Sequence, residues 1–165
     1  MIWIVLTMLA FYLLIILFLH FLSYDVIKNR AVKSRKWGLN ICCGQTDGGG
    51  LNADIIKHKE LPNFVKIDDI YNLPFEDGEF ETVLCSHTME HVEDPRAFFK
   101  ELQRVGRSVT ILNPPLWDVW AAFWFVEHKW FFLSFRTRHV DRLPNFKAVP
   151  FSRFYQRRFG QKKRG

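Results

Sequence analysis

The chain has 165 residues, of which 48% are hydrophobic and 24% charged, a composition that excludes wholesale disorder and a length that allows one domain or two small ones. Three Cys exclude a disulfide-stapled scaffold. A net charge of +6 and an aromatic content of 16% narrow the macromolecular partners to a membrane surface or nucleic acid.

The first element runs from Ile2 to Leu22 without a charge, broken only by the polar Thr7 and His20. About 20 helical residues cross a hydrocarbon core of roughly 30 Å. A cleaved signal peptide would need a basic residue ahead of the apolar run and a small-residue cleavage site after it; here no Lys or Arg precedes the run and SYDVIKNR follows. Residues 1–24 are therefore read as a single membrane-spanning helix. Lys28, Arg30, Lys33, Arg35 and Lys36 follow it, and residues 25–36 read as a basic juxtamembrane linker. That asymmetry predicts a cytoplasmic C-terminal side, and the cluster suits anionic lipid headgroups. A reducing compartment matches Cys42, Cys43 and Cys85 as free thiols.

From Trp37 the pattern turns to short apolar runs. Leu39–Cys43 reads as a strand closed by Gly44, with a glycine-rich turn at Gly48–Gly50 after it. Leu51–Ile55, Phe64–Ile67, Thr82–Cys85 and Val109–Leu112 read as further strands, the last two apolar enough to be covered on both faces. One helix is clearly signalled. Asp94 is placed to cap it and Pro95 suits its first position; Phe98, Phe99, Leu102 and Val105 share a face, and Gly106 stands at its end. Strand, helix, strand in this order predicts a parallel sheet with right-handed crossovers over residues 37–115.

The words LNICCGQTDGGGLNADI and DDIYNLPFEDGEFETVLCSHTMEHVEDPRAFFKELQRV together resemble a class I S-adenosylmethionine-dependent methyltransferase of the broad type 11 group, in its variant with a short loop between the first two strands. The resemblance implies an α/β, Rossmann-like, mostly parallel sheet and S-adenosylmethionine as cofactor. It places Cys43 and Gly44 at the close approach to the cofactor, and Asp54 with Ile55 at the ribose. Asp69, or its neighbour Asp68, would accept from the adenine amine with the Ile70 backbone alongside. Ser86 would lie at the rim, and His87 is the candidate base. Independent chemistry agrees. Gly44 lacks a Cβ where backbone must approach a ligand, and ligands of open parallel sheets bind beyond the carboxyl ends of strands. Asp54 follows Gly44 by only 10 residues, which leaves no room for a full first helix. His87 has an equally good reading as a loop-shaping residue, and for His91 and Glu90 that reading leads.

Cys42 stands where the family commonly has Gly, and Phe80-Glu81 replaces its Phe-Asp. Neither CxxC nor HExxH spacing occurs, so no metal site is expected. Asn113-Pro114-Pro115 reads as a chain-turning pair of prolines.

Residues 116–165 form an aromatic and basic C-terminal segment. Trp117 to Leu133 holds four of the six Trp, and this density suits either a helix in the headgroup layer or one covering the sheet. Arg157, Arg158, Lys162, Lys163 and Arg164 interleave with aromatics, a pattern that serves anionic lipid or single-stranded nucleic acid. Beside a membrane anchor the lipid reading leads and nucleic acid falls behind. The closing hairpin of the full family fold is not legible, so the sheet is expected to be short at its C-terminal end. The leading function is a membrane-anchored methyltransferase whose acceptor, a lipid or other membrane-associated small molecule, the sequence leaves open. A non-catalytic membrane protein on the same scaffold and an RNA-modifying enzyme are the rivals.

Overall fold

The computed structural model describes residues 1–123, 127–152 and 154. The basic residues from Arg157 onward, with Tyr155 and Phe159, lie outside them.

Helix α1 (Ile2–Phe21) is followed without a break by a wider π-helical stretch, Leu22–Lys28, and a last turn, α2 (Asn29–Val32). None of the residues of α1 is buried, and apolar side chains cover it all round. It is long and apolar enough to cross a membrane. The basic segment after it is more than a tether. Val32 and Trp37 are buried against Leu84 and Leu112, so this stretch covers one face of the sheet. The Trp37 indole donates to the Val32 carbonyl at 2.7 Å.

The sheet is Rossmann-like. It comprises β1 (Leu39–Ile41), β2 (Leu51–Asp54), β3 (Phe64–Lys66), β4 (Val83–Ser86) and β5 (Val109–Leu112) in parallel, in the order β3-β2-β1-β4-β5. Helix α3 (Pro95–Val105) makes the crossover from β4 to β5. Its cap is as the sequence predicts: the Asp94 side chain accepts from the Arg96 and Ala97 amides at 2.9 and 3.1 Å. Phe98, Leu102 and Val105 bury one face against Leu39, Ile41, Val83 and Ile111. Phe99 is only partly buried at the margin of that face. Gly106 ends the helix in extended conformation, φ −124°, rather than in the left-handed turn usual for a terminal glycine. Its use is steric, because a Cβ there would come within 2.3 Å of the Val83 side chain.

Between β1 and β2 a nine-residue loop replaces a crossover helix. Two buried asparagines hold it. Asn40 donates to the Thr46 carbonyl (2.7 Å) and to Asn52 Oδ1 (3.0 Å), while Asn52 Nδ2 reaches Asp47 and the Pro62 carbonyl, each at 2.9 Å. These bonds satisfy groups that a helix would otherwise cover with apolar contacts.

Three expectations are corrected. β1 stops at Ile41, so Cys42 and Cys43 sit in the turn and not on the strand. The aromatic stretch is not a long helix: the described part contains a four-residue turn, α4 (Val119–Ala122), and a strand, β6 (Trp130–Phe132). β6 pairs antiparallel with β8 (Phe146–Ala148) and lays Phe132, Trp130 and Phe146 on the main core. Finally, the sheet gains a sixth strand. β7 (Arg138–Val140) pairs antiparallel with β5 and closes that edge.

Candidate active site

Because five strands are parallel, their carboxyl ends lie along one edge of the sheet, and most of the sequence-nominated residues fall there. Gly44 follows β1 with φ +55°, and no atom lies within 4 Å of where its Cβ would be. Its amide donates to Asp54 Oδ2 at 2.8 Å, which fastens the turn after β1 to the end of β2. Asp54 is buried and Ile55 half-buried beside it. β3 joins the same edge through the Ile67 amide, which donates to the Asp54 carbonyl at 3.0 Å. Asp69 and Asp68 lie exposed on the loop beyond β3; Asp69 Oδ1 accepts from the Tyr71 amide at 2.8 Å, and Ile70 packs on the core. Cys43 is buried, and burial pushes its thiol up to about 11. Burial also raises Cys42 and Cys85, so all three thiols stay protonated at neutral pH.

The glycine-rich run Gly48–Gly50 belongs elsewhere. The Trp37 amide donates to the Gly48 carbonyl at 2.9 Å, and Leu51 bonds back to Gly38, both at the amino ends of β1 and β2. A hollow of about 730 Å³ bounded by Leu73, Phe75 and Arg104 is likewise off the carboxyl edge. It is closed by the Arg104 guanidinium, which donates to the Phe75 and Leu73 carbonyls and pairs with Glu101 and Asp77.

Cys42 occupies the turn at φ +51°, a left-handed conformation that a residue with a Cβ adopts at a cost of about 1–2 kcal/mol. That explains the glycine common in the related pattern at this place.

Beyond β4 the chain makes a second left-handed turn at His87, φ +52°. Ser86 lies half-buried at the strand end, with its carbonyl accepting from Thr88. The His87 amide donates to the Leu112 carbonyl at 2.8 Å, which sets the His87 turn beside the end of β5. There Asn113 is 1% exposed, and neither atom of its amide has a hydrogen-bond partner in the described structure. His87 Nε2 is in the same condition, and so is the hydroxyl of buried Ser23. Native interiors leave few polar atoms unpaired, and those of Asn113 and His87 stand together, since the His87 amide is bonded to the residue before Asn113.

The wall opposite His87 comes from the N-terminal helix. Tyr24 meets the His87 ring edge-on, with centroids 5.2 Å apart, and stacks on His20 at 5.7 Å. Lys28 Nζ lies 3.4 Å above the Tyr24 ring. His20 Nδ1 approaches the buried Asp118 carboxylate at 3.2 Å, and Asp118 caps α4 through the Ala121 amide. Asn113, Ser23, Tyr24, His20 and Asp118 were not nominated from the sequence. The available signal was the spacing His20, Tyr24, Lys28, one polar or aromatic residue every four positions at the end of an apolar helix.

Residues 39–112 match the model of a family described as a methyltransferase domain. Demethylmenaquinone methyltransferase of Staphylococcus saprophyticus is 32% identical over 102 residues, covering 48% of this chain and 44% of that protein. Norajmaline N-methyltransferase of Rauvolfia serpentina is 39% identical over 64 residues, covering 36% of this chain and 22% of that protein. The chain thus spans less than half the length of these curated relatives. Among solved structures, a SAM-dependent methyltransferase of Thermotoga maritima, described as a possible histamine N-methyltransferase, superposes with a TM-score of 0.42 at 20% identity, covering 57% of this chain and 53% of that one. The matched residues run from β1 to the end of β5.

Proposed function

We propose that this chain is a membrane-anchored, S-adenosylmethionine-dependent methyltransferase whose acceptor is a small molecule with an apolar body, drawn from the bilayer. The observation that carries this reading is the contact of the anchor with the site: Tyr24 and His20, at the end of the uncovered apolar helix, lie against His87 and Asp118. An acceptor held at the membrane surface therefore has about one helical turn to travel. The exposed side chains of Trp120, Phe123, Leu133 and Phe135 form an apolar, mostly aromatic margin suited to the headgroup layer. Both curated relatives carry the names of small-molecule acceptors, demethylmenaquinone and norajmaline.

The residues present fit the cofactor. The space over Gly44 is open, and the Asp54 carboxylate beside it suits a pair of ribose hydroxyls. Cys43, Ile55, Ile70 and Ser86 line the approach, with Asp69 at the adenine end. Bound there, S-adenosylmethionine supplies an electrophilic methyl group. The chain's own contribution is mostly orientation, holding an acceptor lone pair in line with that methyl. His87 Nε2, buried and without a partner among the described residues, is placed to take the acceptor proton.

The test uses the full chain in lipid nanodiscs with isotopically labelled methyl donor and a total lipid extract. Label is expected in an extractable lipid-soluble product. His87→Ala should lower transfer at least tenfold while S-adenosylhomocysteine still binds. Absence of S-adenosylhomocysteine binding at millimolar concentration would overturn the enzymatic reading in favour of a non-catalytic scaffold. Label recovered in RNA, with tight and salt-sensitive RNA binding, would overturn the acceptor class.

A further inference from the structure

The loop after β4 carries a second set of buried polar groups that methyl transfer does not use. Glu90 is 1% exposed, and neither carboxylate oxygen has a hydrogen-bond partner in the described structure. Its nearest cation-forming neighbour is His87, whose Nδ1 stands 3.5 Å from Oε1. His91 follows directly in sequence. His128 arrives from the segment before β6, where its ring meets that of His91 edge-on with centroids 4.8 Å apart. One ligand atom each from Glu90, His91 and His128 can be chosen so that all three lie within 4.8 Å of one another.

Two features distinguish this cluster from a chance meeting. The backbone fixes it, since the Lys129 and Trp130 amides both donate to the Glu90 carbonyl, at 2.7 and 3.2 Å. The imidazoles offer ligand atoms. His91 Nδ1 lies 3.2 Å from the Glu127 carbonyl. A ring nitrogen that donates to a carbonyl leaves the other nitrogen with its lone pair free, the arrangement found around ligating histidines. His128 Nδ1 is buried without a partner in the described structure.

We propose that Glu90, His91 and His128 bind one divalent transition-metal ion, such as zinc or cobalt, tying the loop after β4 to the segment before β6. Two imidazoles and one carboxylate with an open fourth position form a ligand set used for such ions, whereas calcium and magnesium prefer all-oxygen sites. Ligand atoms around a zinc ion at about 2.1 Å stand roughly 3.4 Å apart, so the cluster closes by around 1 Å on uptake through side-chain rotation. No linear motif announces this site, because its third ligand lies 37 residues after the second in the chain. The proposal does not depend on the cofactor or on the acceptor.

The experiment takes the full chain in detergent, stripped with chelator, and titrates it with Zn²⁺ and Co²⁺. One equivalent per chain is expected, with visible Co²⁺ absorption of a nitrogen and oxygen site and no thiolate charge-transfer band. Glu90→Gln and His91→Gln should each weaken binding at least 100-fold. His91 is only partly buried, so the second variant keeps the test decisive if the first fails to fold. Lack of binding at 100-fold molar excess of metal would overturn the site. So would one-equivalent binding that survives both variants, or that disappears instead in Cys42→Ser or Cys43→Ser.

Discussion

Asp54 is the residue on which the cofactor assignment turns, and Asp54→Ala tests it with two separable readouts. In the protein alone the substitution removes two bonds, a firm one from the Gly44 amide to Oδ2 at 2.8 Å and a long, weak one from the Ile56 amide to Oδ1 at 3.4 Å. Gly44 is half-exposed, so its freed amide can turn to water, and the loss of stability should be about 1 kcal/mol. Cofactor binding should suffer more. Two ribose hydroxyls donating to an ionised carboxylate contribute about 1.5 kcal/mol each at the low end for charged acceptors, or about 3 kcal/mol together. That corresponds to roughly 100-fold in affinity. Asp54→Asn keeps one acceptor oxygen but not the charge and should fall between, near tenfold. Isothermal titration with S-adenosylhomocysteine reads the affinity, and urea unfolding reads the stability. If the alanine variant binds within twofold of the parent while losing its 1 kcal/mol, Asp54 is a turn-fastening residue only and the ribose lies elsewhere.

Two further outcomes follow from the same geometry. His128 titrates near 4 in the folded chain and near 6.5 unfolded, so as pH falls the unfolded chain takes up its proton first; this contribution is complete above about 6.5 and lost on the way to 4, amounting to about 2 kcal/mol by pH 5. Glu90, depressed to about 2, adds to the loss only below about 4.5. Urea unfolding at pH 7 and 5 should show the difference in the parent and not in His128→Asn, and an unchanged slope in that variant would contradict it. At Cys42, φ +51° makes glycine a better replacement than alanine: Cys42→Gly should exceed Cys42→Ala in stability by about 1 kcal/mol, and equal midpoints would refute the strain.

The parallel part of the sheet was legible because β1, β4 and β5 are short, mostly apolar runs buried on both faces, and α3 because Asp94, Pro95 and a one-sided apolar face mark its start and its contacts. β7 was not legible for a physical reason. Only His139 of its three residues is buried, and it is a strand by virtue of the free edge of β5, which its own composition does not announce. The aromatic stretch misled in the opposite direction. Its Trp and Phe density suggested a helix, yet Trp130–Phe132 alternates onto the core through β6–β8 pairing with a segment 16 residues further on, a contact no local pattern encodes. At the site, Gly44, Asp54 and His87 stood in recognisable words. Asn113 was hidden inside an apparent turn, and Tyr24 inside an apparent anchor.

Tyr24 shows how a long apolar helix comes to form one wall of the candidate site. In a regular α-helix a residue four positions on leads by about 40°, so a row at i, i+4 and i+8 drifts by about 80° around the axis. His20, Tyr24 and Lys28 would then stay on one side but wind gradually around the axis away from one another. The π-helical stretch Leu22–Lys28 has wider turns, which turns that drift back. The result is a row on one side: His20 on Asp118, Tyr24 on His87, and buried Lys28 over the Tyr24 ring. Local π geometry costs hydrogen-bond quality, and its position, between the last uncharged turn and the first buried cation, matches the point where that alignment is needed. The sides of α1 away from the domain stay apolar and uncovered. The same helix therefore carries two different surfaces, one apolar and uncovered and one against the strand edge, and they follow each other without a break in the helix.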